Sequence, residues 1–212
     1  MFYRVDTKST LLCYNDGGFG SDNVLVVELG IKLDNTFEYY DTMLKNNGLI
    51  NDFSVITHDI YYTNKKLDGM SENEMKSACI RLRNCDCGVY KVQNNIIDNL
   101  QVTDVLESDL GVFENELSRL GYKKIFDTIK KDFHYYKSGM PSKVQLQQIE
   151  DIGLLVYYDN SKYYEFDLET QRKMLIDELN SYGFDFSYDT LGLDKLRTLY
   201  YGKDMYSKNQ NG

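Results

Sequence analysis

Tryptophan is absent from this chain, proline occurs once and histidine only twice among its 212 residues. With His58 and His134 as the two imidazoles, and no local signature beside either, catalysis by a cysteine–histidine pair has little support. No apolar run approaches the roughly 20 residues that cross a bilayer. The first residues also lack a basic region followed by an apolar stretch. We therefore expect a protein that makes no membrane contact and is located in the cytoplasm of its host cell.

Metal and cofactor motifs are equally scarce. Cys85-Asp86-Cys87 is a single close pair, whereas structural zinc requires four ligands, usually from two such pairs. The glycine-rich loop Gly17–Ser21 lacks the Lys-Ser/Thr end of a phosphate-binding P-loop. The four cysteines are expected to be reduced thiols, with Cys79 as a small buried hydrophobic residue. The sequence therefore predicts no metal and no cofactor.

The hydrophobic pattern predicts an α+β fold with a mixed sheet built from the N-terminal strands. The expected extended segments are 2–6, 24–33, 52–62, a strand from 89, and a hairpin over 153–167 that turns at 159–161. The expected helices are 35–45, a helix from Ser71 to near Asn84, 169–181 and 194–201. Ser71 and Glu74 form a capping box, which marks the start of the second helix.

A long central helical segment is predicted over 109–137, because apolar residues recur there at steps of three and four. The breaker Ser138–Ser142 follows it and is the best candidate boundary in the chain. We therefore expect an α+β main domain over 1–138 and a smaller C-terminal strand–helix unit over 143–212. One continuous domain is the alternative organisation.

The net charge is −9, and 19 tyrosines are present. Because phosphate contacts require Lys and Arg, direct nucleic-acid binding through a basic surface is not expected. An acidic, tyrosine-rich surface suits a protein partner with a basic surface, such as one that handles nucleic acid. The carboxylates expected to contact that partner are Asp177, Glu178, Asp185, Asp189 and Asp194.

The opening segment FYRVDT resembles the first strand of the ADP-ribosyltransferase toxins of the cholera and pertussis type. The resemblance implies that Arg4 helps to hold NAD and that Ser54, in DFSVIT, belongs to the middle strand motif. Glu114-Asn115-Glu116 has the Glu-x-Glu form of the family, in which the last carboxylate stabilises the cation formed as nicotinamide leaves. The alternative is a structural Arg4 that pairs with a nearby carboxylate.

The function we expect from the sequence is therefore non-enzymatic. The composition, rich in Asn, Lys, Asp, Ile and Tyr, is typical of an AT-rich genome and indicates a phage or mobile-element product. Such a protein would bind, and could inhibit, a basic nucleic-acid-handling partner. The alternatives are an NAD-dependent ADP-ribosyltransferase-like enzyme that uses Arg4, Ser54 and Glu116, and a virion structural component.

Overall fold

The structure, a computed structural model, describes residues 10–12, 26–84, 89–96, 99–139 and 143–202. The predicted strand 2–6 and the loop Gly17–Ser21 lie outside the described residues, and so does Arg4. No helix within the described ranges is both long and apolar enough to cross a membrane.

The described residues form nine strands and five α-helices. The strands are β1 (Thr10–Leu12), β2 (Val26–Lys32), β3 (Ile50–Thr63), β4 (Ile80–Arg83), β5 (Val89–Ile96), β6 (Asn99–Leu106), β7 (Lys123–Tyr136), β8 (Val144–Ile149) and β9 (Gly153–Tyr158). The helices are α1 (Phe37–Asn46), α2 (Glu72–Ala78), α3 (Leu110–Arg119), α4 (Leu168–Ser181) and α5 (Lys195–Tyr201). The strands form a sheet in the order β1-β2-β9-β8-β7-β3-β4-β5-β6.

The α+β class is confirmed, but the sheet is antiparallel rather than mixed. The long central helix is wrong. The structure has the short helix α3 and then the 14-residue strand β7. In β7 the polar residues Thr128, Lys130 and Asp132 are buried at alternate positions, and the apolar Tyr135 is buried further along the strand. The apolar residues of this strand are spaced as in a helix, because several of the positions that the strand buries carry polar side chains instead.

Two other boundaries differ from the prediction. The helix that begins at Ser71 ends at Ala78, and residues 80–83 are the strand β4. The hairpin predicted to turn at 159–161 is instead formed by β8 and β9, which meet at the tight turn around Asp151 with φ of 68°. Strand β2, helix α1, strand β3 and helices α4 and α5 lie close to where the sequence predicts them.

By its contacts the chain forms two compact units. Unit 1 comprises 1–55, 131–149 and 153–193, and unit 2 comprises 56–130, 150–152 and 194–212. The division at 138–143 stays a prediction.

Unit 1 has one apolar core in which α1 and α4 pack on strands of the sheet. Leu29 and Val156 come from β2 and β9, while Leu44 and Leu175 come from the two helices, and all four are almost fully buried. The Gln171 side chain of α4 accepts a hydrogen bond from the backbone of Val27 at 3.1 Å, so the helix is also fixed to the sheet by a buried polar contact.

In unit 2 the two faces of the strands are covered differently. Helix α3 covers one face with Leu117, which packs on Ile60 and Leu82. Helices α2 and α5 pack with Tyr61, which lies on the other face of β3. Cys79 belongs to this second cluster and is 4% exposed, which confirms that it is a small buried residue.

Candidate anion-binding site

One face of strand β3 in unit 2 is buried but polar. Alternate side chains of a strand point to the same face, so Thr57, Asp59, Tyr61 and Thr63 share one side of β3. All four are buried, and Asp59 has no exposed surface. A buried face that carries a carboxylate and hydroxyl groups requires hydrogen-bond or charge partners.

Strand β4 provides guanidinium groups to this face. Its antiparallel register places Arg83 opposite Asp59 and Arg81 opposite Tyr61. Because residues directly opposite each other share a face, both arginines lie on the polar side. The Arg83 guanidinium donates two hydrogen bonds to the Asp59 carboxylate, at 2.6 and 2.7 Å.

This pairing keeps the Asp59 carboxylate ionised. Burial by itself raises its pKa, but the hydrogen bonds from Arg83 and the positive charges of Arg81 and Lys130 outweigh burial. The pKa of Asp59 is consequently lowered from 3.8 to about 2. Burial also raises the pKa of Tyr61 to about 12, so its hydroxyl stays protonated at neutral pH.

Strand β7 and helix α5 contribute two lysines. Lys130 is 5% exposed and shares the polar face of β7 with Thr128. Lys195 is the first residue of α5. Burial, followed by the positive charges of Lys130 and Arg81, lowers the pKa of Lys195 from 10.5 to about 7.

The basic cluster, as we call it, is defined by five residues of unit 2: Asp59, Arg81, Arg83, Lys130 and Lys195. Four of its side chains are cationic, and one is a carboxylate. That carboxylate is already engaged by Arg83 at both oxygens. The cluster therefore carries surplus positive charge within a protein whose overall charge is −9.

Three buried polar atoms on the same face have no hydrogen-bond partner among the described residues. They are Thr57 Oγ1, Thr128 Oγ1 and Arg81 Nε. An unsatisfied buried polar group costs about 1–3 kcal/mol, so native proteins retain few of them. Two hydroxyls and a guanidinium N–H beside surplus positive charge are the groups that an oxyanion would satisfy.

Helix α5 is fixed in unit 2 by a buried carboxylate of α2. Glu72 is 3% exposed and accepts hydrogen bonds from the backbone N–H groups of Leu196 and Arg197, at 3.0 and 2.9 Å. Lys76 pairs with the same carboxylate at 2.9 Å. These contacts hold the start of α5, and therefore Lys195, in a defined position.

Two of the three residues predicted for an ADP-ribosyltransferase-like site lie within the described residues. Arg4 lies outside the described residues, and Ser54 is exposed on β3 in unit 1. Glu116 is exposed on helix α3 in unit 2, where the Arg119 guanidinium donates to it at 2.6 and 2.9 Å. The hydrogen bonds from Arg119 lower the pKa of Glu116. The NAD-dependent activity stays a prediction.

The acidic residues predicted to bind a partner are divided between the units. Asp177, Asp185 and Asp189 are exposed in unit 1. Glu178 is mostly buried and accepts hydrogen bonds from Asn160, Lys162 and Tyr163 within that unit. Asp194 belongs to unit 2 and pairs with Arg197 at 3.3 Å. Docking on a basic partner stays a prediction.

The basic cluster is the feature that sequence reasoning missed. The helix expected from Ser71 to near Asn84 would include Arg81, and the helical segment expected over 109–137 would include Lys130. Two signals were available: Arg81 and Arg83 alternate, and so do Thr128 and Lys130. Alternation of polar residues indicates a strand with one polar face. No group of metal-ligating side chains occurs in the described ranges.

Comparison with known proteins informs the fold. No protein-family model and no curated protein matches the chain. Among solved structures, the PH1012 protein from Pyrococcus horikoshii OT3 is 14% identical, with a TM-score of 0.50, and the match covers 79% of this chain and 99% of that one. A "putative adenylate cyclase" from Vibrio parahaemolyticus is 16% identical, with a TM-score of 0.50 and coverage of 77% and 94%. These similarities show that the chain shares an α+β fold with these proteins and, at such identities, they show the fold alone.

Proposed function

We propose that this chain binds a multiply charged phosphate compound, of the class of a nucleoside or inorganic triphosphate, in the basic cluster of unit 2. The observation that carries the proposal is the arrangement of Arg81, Arg83, Lys130 and Lys195 around one carboxylate, Asp59. The proposal concerns binding, and no catalytic step is assigned.

The charge of the cluster supports an anionic ligand. Cations removed from water lose several kcal/mol of hydration each, and this loss must be offset by pairing. Asp59 is the one carboxylate of the cluster, and Arg83 binds it at both oxygens. An anion with three or four negative charges would match four cationic side chains better than a monoanion would.

The donor types support phosphate in particular. Guanidinium groups present a planar fork of N–H donors that matches two oxygens of a phosphate, and lysine adds a compact charge. The Thr57 and Thr128 hydroxyls lie on the same buried face and have no partner among the described residues. Hydroxyl, ammonium and guanidinium donors together provide enough hydrogen bonds for several phosphate oxygens.

The name of the Vibrio neighbour is compatible with this ligand class. The substrate of an adenylate cyclase is ATP, and the negative charge of its triphosphate would complement the cationic side chains of the basic cluster. At 16% identity that name supplies no argument of its own, and the proposal depends on the contacts within unit 2.

Isothermal titration calorimetry at low ionic strength tests the proposal. The wild-type protein is titrated with inorganic triphosphate, ATP and sulfate, and we expect triphosphate and ATP to bind more tightly than sulfate. Lys130→Gln removes one buried cation and should weaken triphosphate binding at least about tenfold, because a hydrogen bond to a charged group contributes about 1.5–3 kcal/mol.

The matched control is Lys123→Gln. Lys123 is exposed on β7 of the same unit and alternation along the strand puts it on the face opposite to Lys130, so its substitution removes an equal charge away from the cluster. Its triphosphate affinity should stay within about twofold of wild type, as expected for a screened surface charge. Absence of triphosphate binding by the wild type, or equal affinity of the two variants, would refute the proposal.

A further inference from the structure

Two threonine hydroxyls of unit 2 are buried without a hydrogen-bond partner among the described residues. They belong to Thr57 of β3, which is 8% exposed, and to Thr128 of β7, which is 4% exposed. A buried hydroxyl without a partner destabilises a folded protein, because it has given up its hydrogen bonds to water. The stability of the fold therefore does not explain these two hydroxyls, which lie on neighbouring strands of the sheet.

A ring contact between β3 and β7 places both threonines on the face of the basic cluster. The ring centroids of Tyr61 and Phe126 are 4.9 Å apart, so these residues share one face of the two strands. Alternate residues of a strand point to the same side, so Thr57 and Asp59 lie on the face of Tyr61. Thr128 lies on the face of Phe126 for the same reason.

A contact on the other face of the sheet agrees with this arrangement. His58 and Asp127 form a hydrogen bond between their side chains at 2.9 Å. His58 follows Thr57 in β3, and Asp127 precedes Thr128 in β7. Because successive side chains of a strand point to opposite sides, the two threonines share the face that His58 and Asp127 do not occupy.

A third threonine of the same face provides a comparison, because its hydroxyl is fully used by the fold. Thr63 is 4% exposed, and its hydroxyl donates to the backbone carbonyl of Ala78 at 2.8 Å. The same oxygen accepts from the backbone N–H of Lys65 at 3.1 Å. A buried threonine with a structural role on this face therefore has its hydrogen bonds within the chain, whereas Thr57 and Thr128 have none among the described residues.

We propose that Thr57 and Thr128 are ligand-binding residues, whose hydroxyls donate hydrogen bonds to the oxygens of a polyphosphate in the basic cluster. This inference rests on the function proposed above and adds two uncharged donors to the cations of that site. Phosphate oxygens are strong acceptors, and a hydroxyl rotates to donate to them. The ligand-free protein is less stable because these donors are unpaired, and the ligand supplies the missing acceptors.

The inference predicts opposite effects on stability and on binding. Thr57→Val and Thr128→Val each replace an unpaired hydroxyl with a methyl group, so the melting temperature of the ligand-free protein should stay the same or rise. Each substitution should weaken triphosphate binding about tenfold, as expected for the loss of a hydrogen bond to a charged group. Because the hydroxyls are uncharged, this loss should be the same at low and at high ionic strength.

The matched control is Thr63→Val, which removes a satisfied hydroxyl from the same face of β3. It should lower the melting temperature by about 2–4 °C and leave the triphosphate affinity within about twofold of wild type. Thr57→Ser and Thr128→Ser retain the hydroxyl and should bind triphosphate within about threefold of wild type. Titration calorimetry of the full chain with inorganic triphosphate measures the affinities, and scanning calorimetry without ligand measures the melting temperatures.

Two results would overturn this inference while leaving triphosphate binding intact. One is an unchanged triphosphate affinity in Thr57→Val and Thr128→Val. The other is a melting temperature lowered in these variants as in Thr63→Val, which would mean that the hydroxyls have a structural role, such as binding a buried water molecule. Failure of the wild type to bind triphosphate at low ionic strength would overturn the proposed function, and the inference with it.

Discussion

The sharpest consequence of the basic cluster concerns its single carboxylate. Asp59→Asn preserves the shape of the side chain but removes the negative charge that Arg83 binds at both oxygens. We expect the variant to fold less stably, because it leaves cationic side chains on a buried face without their counter-charge. We also expect an added polyanion to restore much of the lost stability, since the anion supplies the same charge from outside.

The magnitude follows from the ionisation of Asp59. The pKa of this carboxyl is lowered from 3.8 to about 2, and one unit of pKa corresponds to about 1.36 kcal/mol. The charged interactions of Asp59 therefore stabilise the folded protein by roughly 2–3 kcal/mol at neutral pH. Because the folded-state pKa is depressed, this contribution is complete above about pH 4. It is lost as the pH falls from about 4 to about 2.

Urea unfolding followed by circular dichroism at pH 7 measures the effect. The matched control is Asp104→Asn, an exposed aspartate on β6 of the same unit, which should change the free energy of unfolding by less than about 0.5 kcal/mol. Repeating both titrations with inorganic triphosphate should stabilise Asp59→Asn more than the wild type, because the variant has lost the carboxylate that competes with the ligand.

Two results would refute this reasoning. One is an Asp59→Asn variant as stable at pH 7 as Asp104→Asn, which would mean that Asp59 does not balance the cations of the cluster. The other is equal stabilisation of variant and wild type by triphosphate, which would mean that the ligand binds away from Asp59.

Two predictions concern local structure. Ser71→Ala removes the hydroxyl that accepts the backbone N–H of the third helical residue of α2, and should lower the free energy of unfolding by about 1 kcal/mol. Ser118→Ala, on the exposed side of α3, is its control, and equal urea midpoints for the two would contradict the capping assignment. Gly183→Ala should cost at least about 1 kcal/mol, because φ is +99° and a Cβ would approach Met43 to 3.0 Å. Gly111→Ala, with open space in α3, should be neutral or stabilising in thermal unfolding, and a Gly183→Ala midpoint equal to that of Gly111→Ala would contradict the assignment.

Local signals predicted several elements well. Helix α1 begins after Thr36, whose side chain accepts from the backbone of Tyr39, and α2 begins at the Ser71 capping box. These contacts involve neighbours in sequence, so the residue pattern is sufficient to locate them. Strand β2 and helix α4 have apolar faces whose periods differ clearly, and they too were located from sequence.

Strand β7 could not be identified from its apolar residues. Phe126, Ile129 and Phe133 recur at steps that suit a helix, yet none of the three is fully buried, whereas Thr128, Lys130 and Asp132 are. Burial of a polar residue can be inferred only when the groups that form its hydrogen bonds or ion pairs are known. Those groups come from elsewhere in the fold, as when Gln147 of β8 donates to Asp132 at 2.6 Å in unit 1.

The order of residues in this chain was enough to establish an α+β protein, the capping box of α2 and the burial of Cys79, because each depends on composition or on near neighbours. Only the tertiary structure decided which charged side chains lie close together. Asp59 and Arg83 are 24 residues apart, and the strand register pairs them. Helix α5 is held in the same unit by Glu72, which accepts from the backbone of Leu196, 124 positions away. Electrostatic energy depends on separation in space, and separation along a chain does not determine it until the backbone has folded.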